Sequence, residues 1–228
     1  MSSPLTAPAD ASNRPFALTP SGIIVGTTKN GTNQFLGIPY AAPPVGALRW
    51  TPPQPYKNLP FPFEASQFGN KCPQFDSFTG QQEGDENCLF LNIYTPQAGL
   101  PTPNPKPKLP GLPVMVWIPG GGLLTGAGSD YDPTRLVSKG VIVVTINYRL
   151  GFLGFFAQQA IDAEGHLNGN YGLMDQQFAI RWVKENIRGF GGDPSRITIF
   201  GESAGAQSVF SQIASPLSAG LFKGAIAE

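Results

Sequence analysis

The segment that most constrains the fold of this chain lies near its carboxyl end. Residues 197–200 (ITIF) form a short apolar run, residues 201–205 read Gly-Glu-Ser-Ala-Gly, and a helical pattern covers residues 204–214. The two flanking glycines permit a turn that side chains would block. We therefore expect a strand, a sharp turn and a helix, with Ser203 exposed at the turn.

Further apolar runs and one helical pattern extend this arrangement along the chain. The runs predict strands at residues 89–95, 113–118, 141–147 and 222–227, and residues 173–187 predict a helix with one broad apolar stripe. Asn30-Gly31 lies between residues 23–25 and 34–38 and is typical of a hairpin turn. Continuous apolar strands indicate burial on both faces. Strands that alternate with helices predict an α/β fold with a mostly parallel central sheet and flanking helices.

Charge and composition exclude several classes of protein. The chain has 15 basic and 15 acidic residues, so it has no net charge with which to bind nucleic acid or an anionic membrane. No apolar stretch approaches the roughly 18 residues of a membrane span. Residues 1–15 resemble a flexible tail without a signal peptide, and we expect residues 16–228 to belong to one domain.

The two cysteines, Cys72 and Cys88, allow one intrachain pairing. We expect a disulfide that closes a surface loop, and two buried free thiols are the alternative. A zinc site would need more ligands than these cysteines and His166, the single histidine, so we expect neither metal nor cofactor. The cysteine pair and the glycosylation sequon at residues 30–32 favour a secreted protein.

Three glycines at residues 120–122 follow the predicted strand 113–118. Such a run is either a flexible loop tip or a row of unobstructed backbone N–H groups that can bind an oxyanion. The serine at residue 203 is either an ordinary turn residue or a nucleophile on a strand–turn–helix elbow.

Six blocks resemble the type-B carboxylesterase family, the cholinesterase-like branch of the α/β hydrolases. They are GIPYAAPPVGALRW, ENCLFLNIYTP, VWIPGGGL, NYRLGFLGF, GNYGLMDQQFAIRWVKENI and FGGDPSRITIFGESAG, in the family's order. The resemblance implies an α/β-hydrolase fold and hydrolysis of a small carboxylic ester through an acyl-enzyme. It implies the Cys72–Cys88 disulfide, and it makes Ser203 the nucleophile, with the oxyanion bound by the N–H groups of Gly121, Gly122 and Ala204.

The same resemblance assigns supporting roles. Glu202 matches a position near the family's catalytic histidine, where its charge would act on that histidine; the alternative is a solvated turn residue. Arg49 and Glu86 match a structural ion pair, and Asp175 and Asp193 match structural positions at a helix start and a turn.

The sequence departs from the family pattern at three places. Asn87 replaces an acid before the second cysteine, and Pro119 replaces a frequent histidine before the glycine run. The loop between the cysteines contains Phe75 and Phe78 but no tryptophan, the residue with which cholinesterases bind quaternary ammonium. We therefore do not expect a choline ester as substrate.

The family's catalytic acid and histidine follow the serine, but only 25 residues follow Ser203 and none is histidine. His166 precedes the serine, and we expect it at the surface. We therefore interpret the chain as the N-terminal half of a family member, truncated after the nucleophile helix and feebly active alone. The alternative function is a non-catalytic, cholinesterase-like adhesion or binding module.

Overall fold

The computed structural model describes residues 14–76, 79–97, 111–165 and 169–228. The strands in these ranges are β1 (Phe16–Thr19), β2 (Gly22–Val25), β3 (Thr27–Lys29), β4 (Thr32–Pro39), β5 (Phe63–Glu64), β6 (Gln74–Phe75), β7 (Gln82–Glu83), β8 (Phe90–Pro96), β9 (Leu112–Ile118), β10 (Ile142–Ile146), β11 (Gly192–Gly201) and β12 (Gly224–Ala227). The α-helices are α1 (Thr134–Val137), α2 (Gly151–Phe155), α3 (Gln159–Asp162), α4 (Tyr171–Asn186) and α5 (Ala204–Ala214).

A seven-stranded sheet in the order β12-β11-β9-β10-β8-β4-β3 forms the centre of the fold. The pairings among β12, β11, β9 and β10 are parallel, whereas β8, β4 and β3 join the sheet by antiparallel pairings. The sheet is therefore mixed, and less parallel than the sequence suggests. A strand buried on both faces has the same apolar pattern in either direction, so the pattern of β8 could not reveal its orientation.

The predicted hairpin turn at residues 30–31 is correct, but one of its strands was assigned wrongly. Residues 27–29 pair with β4, whereas β2 pairs with β1 and β5 in a separate three-stranded sheet. Gly26 divides β2 from β3, because its N–H donates to Pro15 at 2.8 Å and a β-carbon on it would lie 2.4 Å from the Gln34 carbonyl oxygen.

Helix α4 packs against the sheet with the predicted stripe, of which one half is fully buried. Ala179, Val183 and Ile187 are inaccessible to solvent, while Met174 and Phe178 are only partly buried. Burial of the two larger side chains, Val183 and Ile187, contributes about 1.5–3 kcal/mol each to the free energy of unfolding. Helix α5 spans the residues that the sequence predicts.

Covalent and ionic links hold the irregular segment between β4 and β8. Cys72 and Cys88 form the expected disulfide and are both buried. The Arg49 guanidinium donates two hydrogen bonds of 2.6 Å to the Glu86 carboxylate, which confirms the expected ion pair.

A second ion pair is fully buried. The Asp175 carboxylate accepts hydrogen bonds from the backbone N–H, Nε and Nη2 of Arg149, at 3.0, 2.8 and 2.8 Å. Asp175 is thus structural, but it lies in the second turn of α4 and not at the helix start. Asp193 accepts from the N–H and hydroxyl of Ser195 in a local turn, as expected.

The described residues contain no helix long and apolar enough to cross a membrane. The same part of the chain has no group of three or more His, Cys, Asp or Glu side chains placed to hold a metal ion. His166 and Phe78 lie outside the described residues, as do residues 1–13 of the predicted tail.

Candidate active site

Ser203 occupies the junction between β11 and α5. Its backbone dihedral angles are φ 56° and ψ −121°, in a region that residues with a β-carbon rarely adopt. The residue precedes the first turn of α5, and its side chain is exposed. Backbone strain of this kind is concentrated at functional sites, where the surrounding structure enforces it.

The glycines on either side of Ser203 are required by close backbone packing. A β-carbon on Gly205 would lie 2.2 Å from the Ile118 carbonyl oxygen, and one on Gly201 would lie 2.6 Å from the Gly205 carbonyl carbon. These contacts bring β9, β11 and α5 together more closely than any larger residue permits. The Gly-x-Ser-x-Gly pattern therefore has a steric cause in this structure.

Glu228, directly after β12, fixes the same turn from the other side. The Ser203 N–H donates to the backbone oxygen of Glu228 at 2.9 Å, and the Glu228 N–H donates to the Gly201 oxygen at 3.0 Å. The Ser203 N–H is therefore occupied and is not a donor for a ligand.

The end of β9 brings the glycine run next to this turn. A β-carbon on Gly120 would lie 2.7 Å from the Glu202 carbonyl oxygen and 3.4 Å from the β-carbon of Ser203. Gly121 and Gly122 follow with φ values of 103° and 63° and are exposed. The glycine run and the Gly-x-Ser-x-Gly turn thus lie side by side in the fold.

Three backbone N–H groups near Ser203 have no protein acceptor. Within the described ranges, the N–H groups of Gly121, Gly122 and Ala204 donate no hydrogen bond. The Ala204 N–H also lies at the amino end of α5, where the helix dipole favours negative charge. Free N–H groups beside an exposed serine can stabilise an oxygen atom that becomes negatively charged.

Glu202 is exposed, but its carboxylate lies against the glycine run. A β-carbon on Gly120 would be 3.2 Å from Glu202 Oε2. Burial raises the pKa of Tyr131, and the nearby carboxylates of Asp130 and Glu202 raise it further. Glu202 therefore contributes negative potential at the edge of the site.

Sequence reasoning missed Tyr148 and Gln74. Tyr148 bonds to Pro119, just before the glycine run, and Gln74 bonds to Gly126, beyond its carboxyl end. Tyr148 belongs to the block NYRLGFLGF, whose resemblance to the family carries no signal of this bond. Phe75, next to Gln74, is 64 % exposed.

This chain is similar to known proteins in both sequence and structure. The model of the carboxylesterase family matches residues 13–228. Para-nitrobenzyl esterase of Bacillus subtilis is 43 % identical over 92 % of this chain and 42 % of its own length. Pyrethroid hydrolase Ces2e of Rattus norvegicus is 45 % identical over 91 % of this chain and 37 % of its own length.

Solved structures agree with these matches. A thermophilic PNB esterase superposes with a TM-score of 0.81 at 41 % identity, over 92 % of this chain and 43 % of its own. Juvenile hormone esterase from Manduca sexta, solved with OTFP covalently attached, superposes with a TM-score of 0.82 at 36 % identity. The match covers 93 % of this chain and 40 % of that chain.

The chain spans about two-fifths of the length of these relatives. The family match nevertheless covers nearly all of it, and the structural neighbours share its sheet and flanking helices. The chain therefore has the α/β-hydrolase fold and belongs to the carboxylesterase family.

Proposed function

We propose that this chain carries the nucleophile and the oxyanion-binding groups of a carboxylic ester hydrolase, with Ser203 as the nucleophile. The observation that supports this most is the strained, exposed Ser203 at the β11–α5 turn, beside a glycine run with free N–H groups. The surrounding backbone holds Ser203 in this strained conformation. In a strand–turn–helix elbow, such strain exposes the serine Oγ to the substrate.

The proposed reaction has two halves. A general base takes the Ser203 hydroxyl proton while Oγ bonds to the ester carbonyl carbon, and the carbonyl oxygen becomes an oxyanion. The N–H groups of Gly121, Gly122 and Ala204 stabilise that oxygen. The intermediate then expels the alcohol, which takes the proton from the base. Water releases the acid from the acyl-enzyme by the same steps and restores the serine.

The base that we propose is a histidine that follows the serine in the family's order. Within the given sequence the single histidine, His166, precedes the serine. Glu202 would stabilise the imidazolium that forms when the histidine takes the proton, because its carboxylate lies at the edge of the site.

The names of the relatives support carboxylic esters as the substrate class, since one is a para-nitrobenzyl esterase and another is a juvenile hormone esterase. No feature of the described structure favours the adhesion alternative, and the serine that an adhesion protein of this fold would lack is present.

Steady-state hydrolysis of p-nitrophenyl acetate by the complete product of the coding sequence tests the proposal. Ser203→Ala should lower kcat by about 10⁴-fold or more, since it removes the nucleophile. Ser211→Ala is the matched control, because Ser211 lies on the same helix and its hydroxyl donates only to Gln207 at 2.9 Å. Turnover that survives in Ser203→Ala would refute the assignment.

A further inference from the structure

The segment from Gly120 to Gly126, here called the glycine loop, has little internal support. Gly121, Gly122, Leu123 and Gly126 all have positive φ values. Its internal hydrogen bonds are donated by Leu124 and Thr125 to the Gly121 oxygen. Because glycine restricts the backbone least, such a loop keeps one conformation only if it is held from outside.

Tyr148 holds the amino end of the glycine loop. The side chain is buried, with 2 % exposure, and its hydroxyl donates to the Pro119 carbonyl at 2.8 Å. Pro119 immediately precedes the loop. Burial raises the pKa of Tyr148 well above its usual value, so the phenol remains a donor at any physiological pH.

Gln74 holds the other end. Its Oε1 accepts the Gly126 N–H at 2.8 Å, while its Nε2 donates to the Cys72 carbonyl at 3.0 Å. Gln74 is 7 % exposed. Its amide thus ties the carboxyl end of the glycine loop to the segment that the Cys72–Cys88 disulfide closes.

We propose that Tyr148 and Gln74 are positioning residues, which act on the reaction by holding the glycine loop where its N–H groups meet the oxyanion. The inference rests on the proposed function. Oxyanion donors must lie about 3 Å from the oxygen that becomes charged, and small displacements cost much of their effect. Besides the bond from the Gly151 N–H to the Leu123 oxygen at 2.8 Å, which holds the middle of the loop, these two buried side chains supply rigidity at its ends that the loop's own sequence lacks.

The variants are Tyr148→Phe and Gln74→Leu in the complete product of the coding sequence. Tyr40→Phe is the matched control, because Tyr40 is 1 % exposed and its hydroxyl donates to a backbone carbonyl, that of Asn147, at 2.7 Å. Each Tyr→Phe change removes one buried hydroxyl and its hydrogen bond to a backbone carbonyl. Only Tyr148 bonds to the residue that leads into the glycine loop.

Two readouts separate positioning from general destabilisation. Amide hydrogen exchange of Leu124 and Thr125 should become about 10-fold faster in Tyr148→Phe and Gln74→Leu, because opening of the loop breaks their bonds to Gly121. The same variants should lower kcat for p-nitrophenyl acetate by about 10-fold with little change in KM, since the loss falls on the transition state. Tyr40→Phe should change neither.

The inference would be overturned if amide exchange at Leu124 and Thr125 were unchanged in the two variants. It would also be overturned if their loss in kcat were no larger than that of Tyr40→Phe. Faster exchange without a loss in kcat would overturn the positioning role as well. If Tyr148→Phe does not fold, Gln74→Leu decides by the same criteria. If Ser203→Ala retains full turnover, the proposed function fails, and exchange at Leu124 and Thr125 alone decides whether the two side chains anchor the loop.

Discussion

Among the individual residues, Ser203 has a strained backbone conformation, and its side chain is exposed. A residue with a β-carbon at φ 56° and ψ −121° is less stable than glycine there by about 1–3 kcal/mol. The hydrogen bond from its N–H to Glu228 and the contacts of Gly201 and Gly205 enforce this conformation.

This strain predicts an unusual order of stability for two variants. Ser203→Gly should be more stable than Ser203→Ala by about 1 kcal/mol, even after the greater unfolded-state entropy of glycine is subtracted. Urea denaturation of both proteins measures the difference. If the alanine variant is the more stable, the serine is not strained in the folded protein.

Residues of the site differed in how well the sequence predicted them. Ser203 and its glycines belong to one continuous segment, so a local pattern was enough. Tyr148 bonds to Pro119, just before the glycine loop, and Gln74 bonds to Gly126 within it, across sequence separations of 29 and 52 residues. No local sequence pattern predicts such a pairing. The roles assigned to Gly121, Gly122, Ala204 and Glu202 stay predictions until the site is tested.

At the scale of elements, the buried Arg149–Asp175 pair joins α4 to the segment after β10. The side chains are 2 % and 0 % exposed, whereas those of the Arg49–Glu86 pair are 38 % and 26 % exposed. Removal of one partner from a buried pair leaves an uncompensated charge, but solvent screens a partly exposed pair.

Asp175→Asn should therefore lower the free energy of unfolding by about 3–5 kcal/mol. Glu86→Gln, the control, should cost about 1 kcal/mol or less, although the Arg49–Glu86 distances are shorter. Chemical denaturation of both variants checks the order. Equal losses in the free energy of unfolding would mean that burial does not determine how much each ion pair stabilises the fold.

The elements themselves were mostly predictable because their apolar periodicity is local. Helix α5 matches its prediction, and strands β8 to β12 fall within a few residues of theirs, except that β11 begins earlier, at Gly192. Strand direction was not predictable where both faces are buried. The assignment of residues 23–25 failed because the break at Gly26 depends on contacts with Gln34 and Pro15.

For the molecule as a whole, the surface around β12 and α5 exposes several large apolar side chains. Strand β12 is the last strand of the described sheet, and its Ile226 is 42 % exposed. Phe210, Ile213 and Leu217 are more than half exposed on and after α5. An apolar edge strand of this kind is a template for pairing with another chain.

The 228 residues expressed alone should therefore self-associate. Size-exclusion chromatography at increasing concentration should show growing species, and Ile226→Lys should reduce them, because charge on an edge strand blocks pairing. Lys223→Ala, on the preceding segment, is the control and should not reduce association. A monodisperse monomer with one sharp thermal transition would show that the exposed edge is harmless.

We propose that Ser203 forms the covalent intermediate, and labelling with a fluorophosphonate probe tests this assignment. The complete product of the coding sequence is treated with the probe, digested and analysed by mass spectrometry. We predict one phosphonyl adduct on the peptide that contains Ser203, absent from Ser203→Ala and kept in Ser211→Ala. An adduct on another residue, or none in a folded and hydrolytically active protein, would show that Ser203 is not the nucleophile.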